Sequence, residues 1–177
     1  MEIESTPIEG VLLIKPKVWG DERGYFVETW QEERYRAAGI VGPFVQDNHS
    51  MSTRGILRGL HFQKKHPQGK LVSVSLGSVF DVAVDIRPDS PTFGKWFGAE
   101  LTQQNQWQMW IAPGLAHGFA VTSDTAHFHY YSFHTPQHSP AFCSHGYRDG
   151  IRHGHFDGTH GRHRHHPQEH VCGAAAP

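Results

Sequence analysis

The sequence predicts an all-β protein: an antiparallel barrel or jelly roll with one short helix. Strand-length segments recur along the first 128 residues, and glycine- and proline-rich turns separate them. The chain has 177 residues, of which 37% are apolar, and this suits one domain with a single core. Many short strands with one brief helix are typical of sandwiches and jelly rolls.

The elements follow in chain order from local pattern and turn residues. Residues 11–14 are a short apolar strand stopped by Pro16, and residues 25–30 alternate after Gly24. Residues 31–38 contain good helix formers and end at Gly39, which predicts a helix of two turns. Turn residues then separate five further predicted strands, at 55–62, 71–76, 79–86, 96–101 and 106–111.

Aromatic residues on these strands are expected to pack in the core or in a dimer interface, since aromatic side chains supply large buried areas. They are Phe80, Phe93, Trp96, Phe97, Trp107 and Trp110.

Composition and charge exclude several classes of function. The net charge is −1, so the chain lacks the broad basic surface of a nucleic-acid-binding protein. No apolar run approaches the ~18–20 residues of a membrane helix, and the first residues are acidic where a signal peptide is basic. We therefore expect a cytoplasmic protein without a membrane partner. Two cysteines are too few for a disulfide framework.

The sixteen histidines divide the chain into two parts. Eleven of them lie in the last 49 residues, which contain only two members of the Ile/Leu/Val/Met group, Ile151 and Val171. Such a segment buries too little apolar surface to offset the entropy of ordering it. We predict a barrel domain over residues 1–131 and a poorly ordered, histidine-rich tail over residues 132–177. A shifted reading frame in the source gene is one explanation of the tail.

Polar clusters interrupt the β pattern in four places. They lie at residues 20–28, 46–50, 54–63 (followed by Lys70) and 113–119 (followed by Tyr130). In the third cluster, Arg58 and His61 are three residues apart, which puts them on opposite faces of a regular strand. Both reach one pocket only if Gly55 or Gly59 marks a bulge or bend.

A metal site competes with other interpretations of these clusters. The spacing around His61 and His117 has the outline of the two cupin motifs, but Gln63 stands where metal-binding cupins usually have a second histidine. An amide is a poor ligand for the ions of such sites, and two histidines are too few. We therefore expect no native metal and no cofactor in the barrel.

A metal-free pocket with these groups can move protons. His61 is a usable base near neutral pH, Tyr130 can deliver a proton from the opposite side, and Lys70 can stabilise an enolate oxygen. Together they can invert a carbon next to a carbonyl group. Arg23 and Arg58 would hold a phosphorylated part of the substrate by bidentate contacts.

The sequence resembles the dTDP-4-dehydrorhamnose 3,5-epimerase family, whose fold is a cupin-type β-barrel. The resemblance runs nearly unbroken from residue 5 to about residue 130. The segments that carry it are Gly20-Asp-Glu-Arg-Gly-Tyr-Phe26, Gln46-Asp-Asn-His-Ser50, Arg54-Gly-Ile-Leu-Arg-Gly-Leu-His-Phe-Gln63, residues 77–87 and Pro113-Gly-Leu-Ala-His-Gly-Phe119.

The resemblance implies a function and a set of residues. It implies epimerisation at C3 and C5 of dTDP-4-dehydro-6-deoxy-D-glucose by a metal-free homodimer that exchanges its N-terminal strand. His61 matches the family's proton acceptor and Tyr130 its proton donor. The matches to substrate-binding positions are Arg23, Glu28, Gln46, Asn48, Arg58, Lys70 and His117.

The chain departs from the family's pattern after residue 130. The segment that supplies a carboxylate to orient the catalytic histidine is missing, and Asp81 or Asp85 could partly compensate. The thymine-stacking aromatic falls at about Pro136, with Phe133 as the nearest substitute. Two alternatives therefore stay open: an epimerase that inverts only C3 or only C5, and a catalytically impaired cupin that still binds a dTDP-sugar.

Overall fold

Two antiparallel sheets, packed face to face, form the barrel. The computed structural model describes residues 1–40 and 42–134. The strands are β1 Glu2–Ser5, β2 Val11–Lys15, β3 Val18–Asp21, β4 Gly24–Val27, β5 Phe44–Thr53, β6 Leu57–His61, β7 Gln68–Leu76, β8 Ser78–Asp85, β9 Trp96–Thr102, β10 Gln108–Ile111, β11 Leu115–Val121 and β12 Thr125–His134, and the helix is α1 Glu32–Ala37.

The strands form two larger sheets and a separate two-stranded hairpin. One sheet has six strands in the order β1-β2-β10-β7-β12-β5, and the other has four in the order β6-β11-β8-β9. Within the described residues, β3 and β4 pair only with each other. The prediction of an all-β antiparallel fold with one short helix is confirmed.

The helix forms where its capping residues predict it. The Gln31 side chain accepts a hydrogen bond of 2.8 Å from the backbone N–H of Arg34, which satisfies one free donor of the first turn. Gly39 follows the helix with a φ of +84°, a conformation that glycine adopts without steric cost. Tyr35 on the buried side donates a hydrogen bond of 2.7 Å to Gln108 of β10.

Two apolar clusters stabilise the barrel, one inside it and one outside. The interior cluster lies between the sheets, and the outer one lies on the six-stranded sheet under α1. The interior cluster includes Val72, Val79, Met109, Phe119 and Phe128, all at most 6% exposed. The outer cluster consists of Ile14, Tyr35, Ile40, Leu71, Trp110 and Phe133.

Several strands differ from the predicted pattern. The predicted strand at 25–30 ends as β4 at Val27, and five strands were not predicted: β1, β3, β5, β11 and β12. The segment of β5 had the appearance of a polar cluster because Gln46, Asn48 and Ser52 face the interior of the barrel. Strand β12 runs to His134, and the predicted tail from residue 135 onward lies outside the described residues.

The strand aromatics divide between buried and exposed positions. Trp110 is 5% exposed in the outer cluster, and Phe97 and Trp107 pack at the margin of the interior cluster. Three others are largely exposed on the single chain, so they are outside its core and their packing in a dimer interface stays a prediction: Phe80 (40%), Phe93 (59%) and Trp96 (63%). Across the described part of the chain, no helix has the length and apolarity to cross a membrane.

Candidate active site

A bulge in β6 places Arg58 and His61 on the same face. The register pairs His61 with His117 and Arg58 with Phe119, so three steps on β6 match two steps on β11. His117 and Phe119 are two residues apart and both are buried in the barrel, at 5% and 6% exposure. The extra residue in β6 therefore turns Arg58 and His61 toward the interior together. The predicted bulge is confirmed.

Two glycines make this bulge possible. Gly59 has a φ of +137°, and a Cβ on it would lie 2.6 Å from the Cα of Gly118. A Cβ on Gly118 would lie 2.7 Å from the backbone oxygen of Arg58. Because backbone atoms meet backbone atoms at this crossing, a side chain at either position would push β6 away from β11.

The six-stranded sheet supplies the opposite wall of the site. Alternation along β7 points Lys70 inward with Val72, and alternation along β12 points Tyr130 inward with Phe128. Tyr130 lies opposite Asn48 of β5 in the ladder, so both side chains lie on the inner face. His61, Lys70 and Tyr130 therefore face one interior from two sheets.

A buried pair fixes His117 in this interior. Its Nε2 lies 2.8 Å from Oδ1 of Asp81, and because a carboxylate only accepts, the imidazole donates this bond. Asp81 is fully buried, and its Oδ2 has no hydrogen-bond partner among the described residues. A pocket beside the pair is lined by Gln63, Gln68, Lys70, Ile111, Leu115 and His117, among others.

The electrostatics favour a neutral imidazole at His61. Burial lowers its pKa below the usual 6.5, and the positive charge of Lys70, with smaller effects of His117 and Arg58, lowers it further. Burial also lowers the pKa of Lys70, and the carboxylate of Asp81 opposes that shift. A neutral base beside a cation is the combination that proton abstraction next to a carbonyl requires.

The pKa of Tyr130 is shifted in the opposite direction from the pKa of His61. Burial raises the pKa of its phenol above 10, while the positive charge of Arg58 partly opposes that shift. The phenol therefore keeps its proton at neutral pH and can donate it. Arg58 donates a hydrogen bond of 2.9 Å from Nε to Ser52 Oγ of β5, which holds the guanidinium across the interior.

Gln46 and Asn48 lie together on the inner face of β5. The Gln46 amide donates a hydrogen bond of 3.0 Å to the side-chain oxygen of Asn48. Asn48 Nδ2 is buried and has no partner in the part of the chain that the structure describes. A buried donor without a partner is costly in a folded protein, so its place here indicates a ligand-binding surface.

The structure does not bring two predicted residues to this interior. Arg23 lies in the β3–β4 hairpin, pairs with Asp21, and has a side chain that is 85% exposed. Glu28 follows the hairpin and forms an ion pair of 2.7 Å with Arg34 of α1. Within one chain, both lie away from His61.

The three suggested substitutes, Asp81, Asp85 and Phe133, have other partners than those suggested for them. Asp81 binds His117, and Asp85 accepts hydrogen bonds from Arg87, so these carboxylates serve other partners than His61. Phe133 is 8% exposed and packs on the outer face of the sheet, away from the interior where a base would stack. Pro136 lies outside the described residues.

Sequence reasoning missed two residues that organise the site. The sequence suggested Asp81 only as a partner of His61. Polar residues at alternate positions of an apolar strand nevertheless indicate a polar site on the inner face of the sheet. Ser52, which accepts a hydrogen bond from Arg58, was not predicted as a site residue. The repeated polar residues at every second position of 46–52 were the available signal.

The described residues offer no metal centre. His61 and His117 are paired in the ladder, but no group of three or more His, Cys, Asp or Glu side chains in residues 1–40 and 42–134 is arranged to hold an ion. The expectation of a metal-free site stays a prediction.

Comparisons with known proteins agree with the geometry. The family model described as dTDP-4-dehydrorhamnose 3,5-epimerase matches residues 5–148. A protein of that name from Shigella flexneri is 54% identical over 132 residues, covering 73% of each chain. The Pseudomonas aeruginosa protein of the same name is 50% identical over 141 residues, covering 78% of each chain.

Solved structures are similar over a comparable share of the chain. A dTDP-6-deoxy-D-glucose-3,5-epimerase from Legionella pneumophila, solved with dTDP-4-keto-L-rhamnose, is 52% identical with a TM-score of 0.73 and covers 76% of this chain and 72% of its own. A 4-keto-6-deoxy sugar epimerase from the novobiocin gene cluster of Streptomyces spheroides is 38% identical with a TM-score of 0.72. That match covers 80% of this chain and 71% of the Streptomyces chain.

Proposed function

Because this chain belongs to the dTDP-4-dehydrorhamnose 3,5-epimerase family, we propose that its barrel interior inverts C3 and C5 of dTDP-4-dehydro-6-deoxy-D-glucose by metal-free proton transfer. The chain is an epimerase by family. The observation that carries the mechanism is the β6 bulge, which turns His61 and Arg58 into one interior with Lys70 and Tyr130. The ketone at C4 acidifies the hydrogens on both neighbouring carbons, so one site serves both inversions.

Each inversion is a removal and a return of one proton. The neutral imidazole of His61 accepts the proton from carbon, and the electron pair of the broken C–H bond forms an enolate with the C4 carbonyl. The ammonium group of Lys70 stabilises the negative oxygen of the enolate. The Tyr130 phenol then delivers a proton to the opposite face of the carbon, and solvent restores both residues to their starting protonation states.

The remaining residues hold the substrate. The Arg58 guanidinium suits the diphosphate, and Gln46, Asn48 and His117 present hydrogen-bonding groups around the interior. Arg23, with an exposed side chain, and Glu28, with a partly exposed one, would act in a homodimer, where a neighbouring subunit would contact them. In this structure β1 pairs with β2 of its own chain, so the exchange of the N-terminal strand stays a proposal. The cytoplasmic location likewise stays a prediction.

Deuterium exchange tests this function directly. The protein is incubated with dTDP-4-dehydro-6-deoxy-D-glucose in deuterated water, and NMR counts the carbons that gain deuterium. We expect label at both C3 and C5. Label at only one carbon would instead support an epimerase that inverts only C3 or only C5. The sequence does not exclude such an enzyme.

Calorimetry with dTDP tests the remaining alternative, a catalytically impaired cupin that still binds a dTDP-sugar. If dTDP binds while neither carbon exchanges, the chain is a binding module whose missing C-terminal segment has cost it activity. Absence of both binding and exchange contradicts the proposed function altogether.

The role of Lys70 gives a pH-dependent prediction. The base must be neutral, so kcat/KM rises with pH through the pKa of His61, and we expect this acid limb below pH 6.5. Lys70→Met removes a nearby positive charge that disfavours the imidazolium, so the limb should move upward toward pH 6.5. The maximal rate should fall by about 10²-fold, because the enolate loses its cation.

A pH–rate profile of kcat/KM checks both effects. Lys65→Met, in the exposed loop after β6, is the matched control and should keep the wild-type profile. A Lys70→Met limb that coincides with the wild-type limb would show that Lys70 does not act on His61.

A further inference from the structure

Three histidines gather on the outer side of the six-stranded sheet. His49 of β5 lies directly opposite His129 of β12, and the two rings stack with their centroids 4.3 Å apart and 1° between their planes. Nε2 of His49 also lies 3.1 Å from Nδ1 of His127, which is two residues earlier on β12. We call His49, His127 and His129 the histidine triad. His49 is its centre, because each of these contacts includes it.

The triad joins three strands of the sheet. The register of β12 with β7 shifts beside His127, and the extra residue in β7, Ser75, has its hydroxyl oxygen 2.8 Å from Nε2 of His129. Strand β5 is at the edge of the sheet, and in the described part of the chain it pairs with β12 alone. The triad therefore adds side-chain contacts to the one described ladder that holds β5.

These contacts depend on neutral imidazole rings. A hydrogen bond between two ring nitrogens needs one donor and one acceptor, so at least one of His49 and His127 must be neutral. The stacked rings of His49 and His129 tolerate one positive charge, but two charges at this distance repel each other. A charged His49 is therefore incompatible with a charge on either neighbour, and full protonation of the triad breaks both contacts.

The surroundings of His129 also disfavour its charged form. Burial lowers the pKa of His129 below 6.5, and the positive charge of His49 lowers it further. Asp47, two residues from His49 on the same side of β5, opposes this shift, and His127 adds to it. The ring is therefore neutral at neutral pH, as the stack requires.

The other groups near the triad do not compensate for further protonation. Beyond the paired ends of β5 and β12, Arg54 and Asp124 neutralise each other in an ion pair. The remaining polar side chains that face the triad are uncharged at neutral pH: Ser73 and Ser75 of β7 and Tyr131 of β12, whose pKa is raised above 10 by burial. Within the described residues, Asp47 is thus the one unpaired carboxylate beside three imidazoles.

The stack indicates that the cation bound by the triad is a proton rather than a metal ion. A metal ion needs ring nitrogens whose lone pairs meet at one point. The parallel rings of His49 and His129 instead present their nitrogens side by side, and Nε2 of His129 is engaged with Ser75.

The triad lies on the back of two strands that carry the site. Asn48 and Tyr130 are paired across β5 and β12, and they point into the barrel while their neighbours His49 and His129 point outward. A change in the distance between β5 and β12 at the triad therefore moves the two inward residues as well.

We propose that the histidine triad is a pH-operated clamp on the edge strand β5. Around neutral pH the uncharged rings hold β5 against β12. Below about pH 6.5, the open form, in which the imidazoles are separate, binds more protons than the closed form, so the closed form loses stability as the pH falls. Acid therefore loosens β5 and the part of the site that this strand carries.

Hydrogen exchange of the full-length protein, read by mass spectrometry, tests the clamp. Protection of the β5 amides, corrected for the intrinsic pH dependence of exchange, should fall about tenfold between about pH 7.5 and about pH 5, the order expected for two unit charges that meet near a protein surface. Protection of β10, away from the triad in the same sheet, is the internal reference and should not change. No substrate is present, so the result is independent of the proposed function.

Two variants assign the pH response to the triad. His49→Gln removes the central imidazole, and its amide can still form a hydrogen bond with His127, so the response of β5 should disappear. His129→Phe keeps a flat ring on His49 but takes up no proton, so it should reduce the response, and it replaces His49→Gln if circular dichroism shows that the latter is unfolded. His66→Gln, in the loop between β6 and β7, is the matched control and should respond like the wild type.

Each variant keeps every other histidine of the chain, so a pH response that originates elsewhere survives in both. A folded His49→Gln protein with the wild-type response would therefore overturn the proposal. So would a folded His129→Phe protein with an undiminished response. Equal protection of wild-type β5 at the two pH values would overturn it as well.

Discussion

Replacing His61 with asparagine is expected to lower kcat/KM for epimerisation by about 10³-fold, the typical contribution of a well-placed general base. Asparagine keeps a polar group of similar size on the β6 bulge but cannot accept a proton from carbon. Exchange of deuterium into C3 and C5 should fall by the same factor, because in the proposed mechanism His61 removes the proton from both carbons. Binding of dTDP, measured by calorimetry, should change little, since the proposal assigns the diphosphate to Arg58.

A second histidine serves as the control for this variant. His127 lies on β12 and points outward beside His49, away from the interior. His127→Asn should leave exchange and turnover near the wild-type values. If His61→Asn kept more than a tenth of the wild-type exchange rate, His61 would not be the base.

Replacing Tyr130 with phenylalanine is expected to separate exchange from inversion. His61 can still remove a proton and return one to the same face, so deuterium should enter the substrate without a change of configuration. Formation of the inverted product should fall by about 10²–10³-fold, because the opposite face loses its proton donor. The phenyl ring keeps the packing of Tyr130 against Phe128, so the fold should be unaffected.

NMR in deuterated water measures both quantities in one experiment. Tyr131→Phe is the matched control, because Tyr131 is the next residue on β12, faces outward and packs on Phe44. Equal losses of exchange and inversion in Tyr130→Phe would contradict the assignment of Tyr130 as the donor, and would indicate that it positions the substrate instead.

The fold class followed from apolar periodicity, but that signal failed where the interior is polar. Strands β8 and β10 carry enough valine, isoleucine and aromatic residues to be predicted from the sequence. Strand β5 was missed because its inward residues, among them Asn48 and Ser52, belong to the site rather than to the core. A polar residue at every second position is a strand signal when one face lines a pocket.

The site itself was partly predictable. The spacing of Arg58 and His61 required a bulge at a nearby glycine, and this geometry is present at Gly59. The pairing of Asp81 with His117 was beyond local pattern, because the two residues are 36 positions apart and meet only through the register of β8 with β11. The same limit applies to Arg23, whose distance from the interior depends on where the hairpin lies.

The bulge in β6 makes two glycines a condition for activity. Arg58 and His61 are three residues apart, and they share the inner face only because the bulge absorbs one residue. If β6 paired regularly with β11 at its present length, one of the two side chains would point to the outside, although every reactive group would still be in the sequence. In surveys of related genes, the glycines at positions 59 and 118, where the two backbones meet, are therefore as informative as this arginine and this histidine.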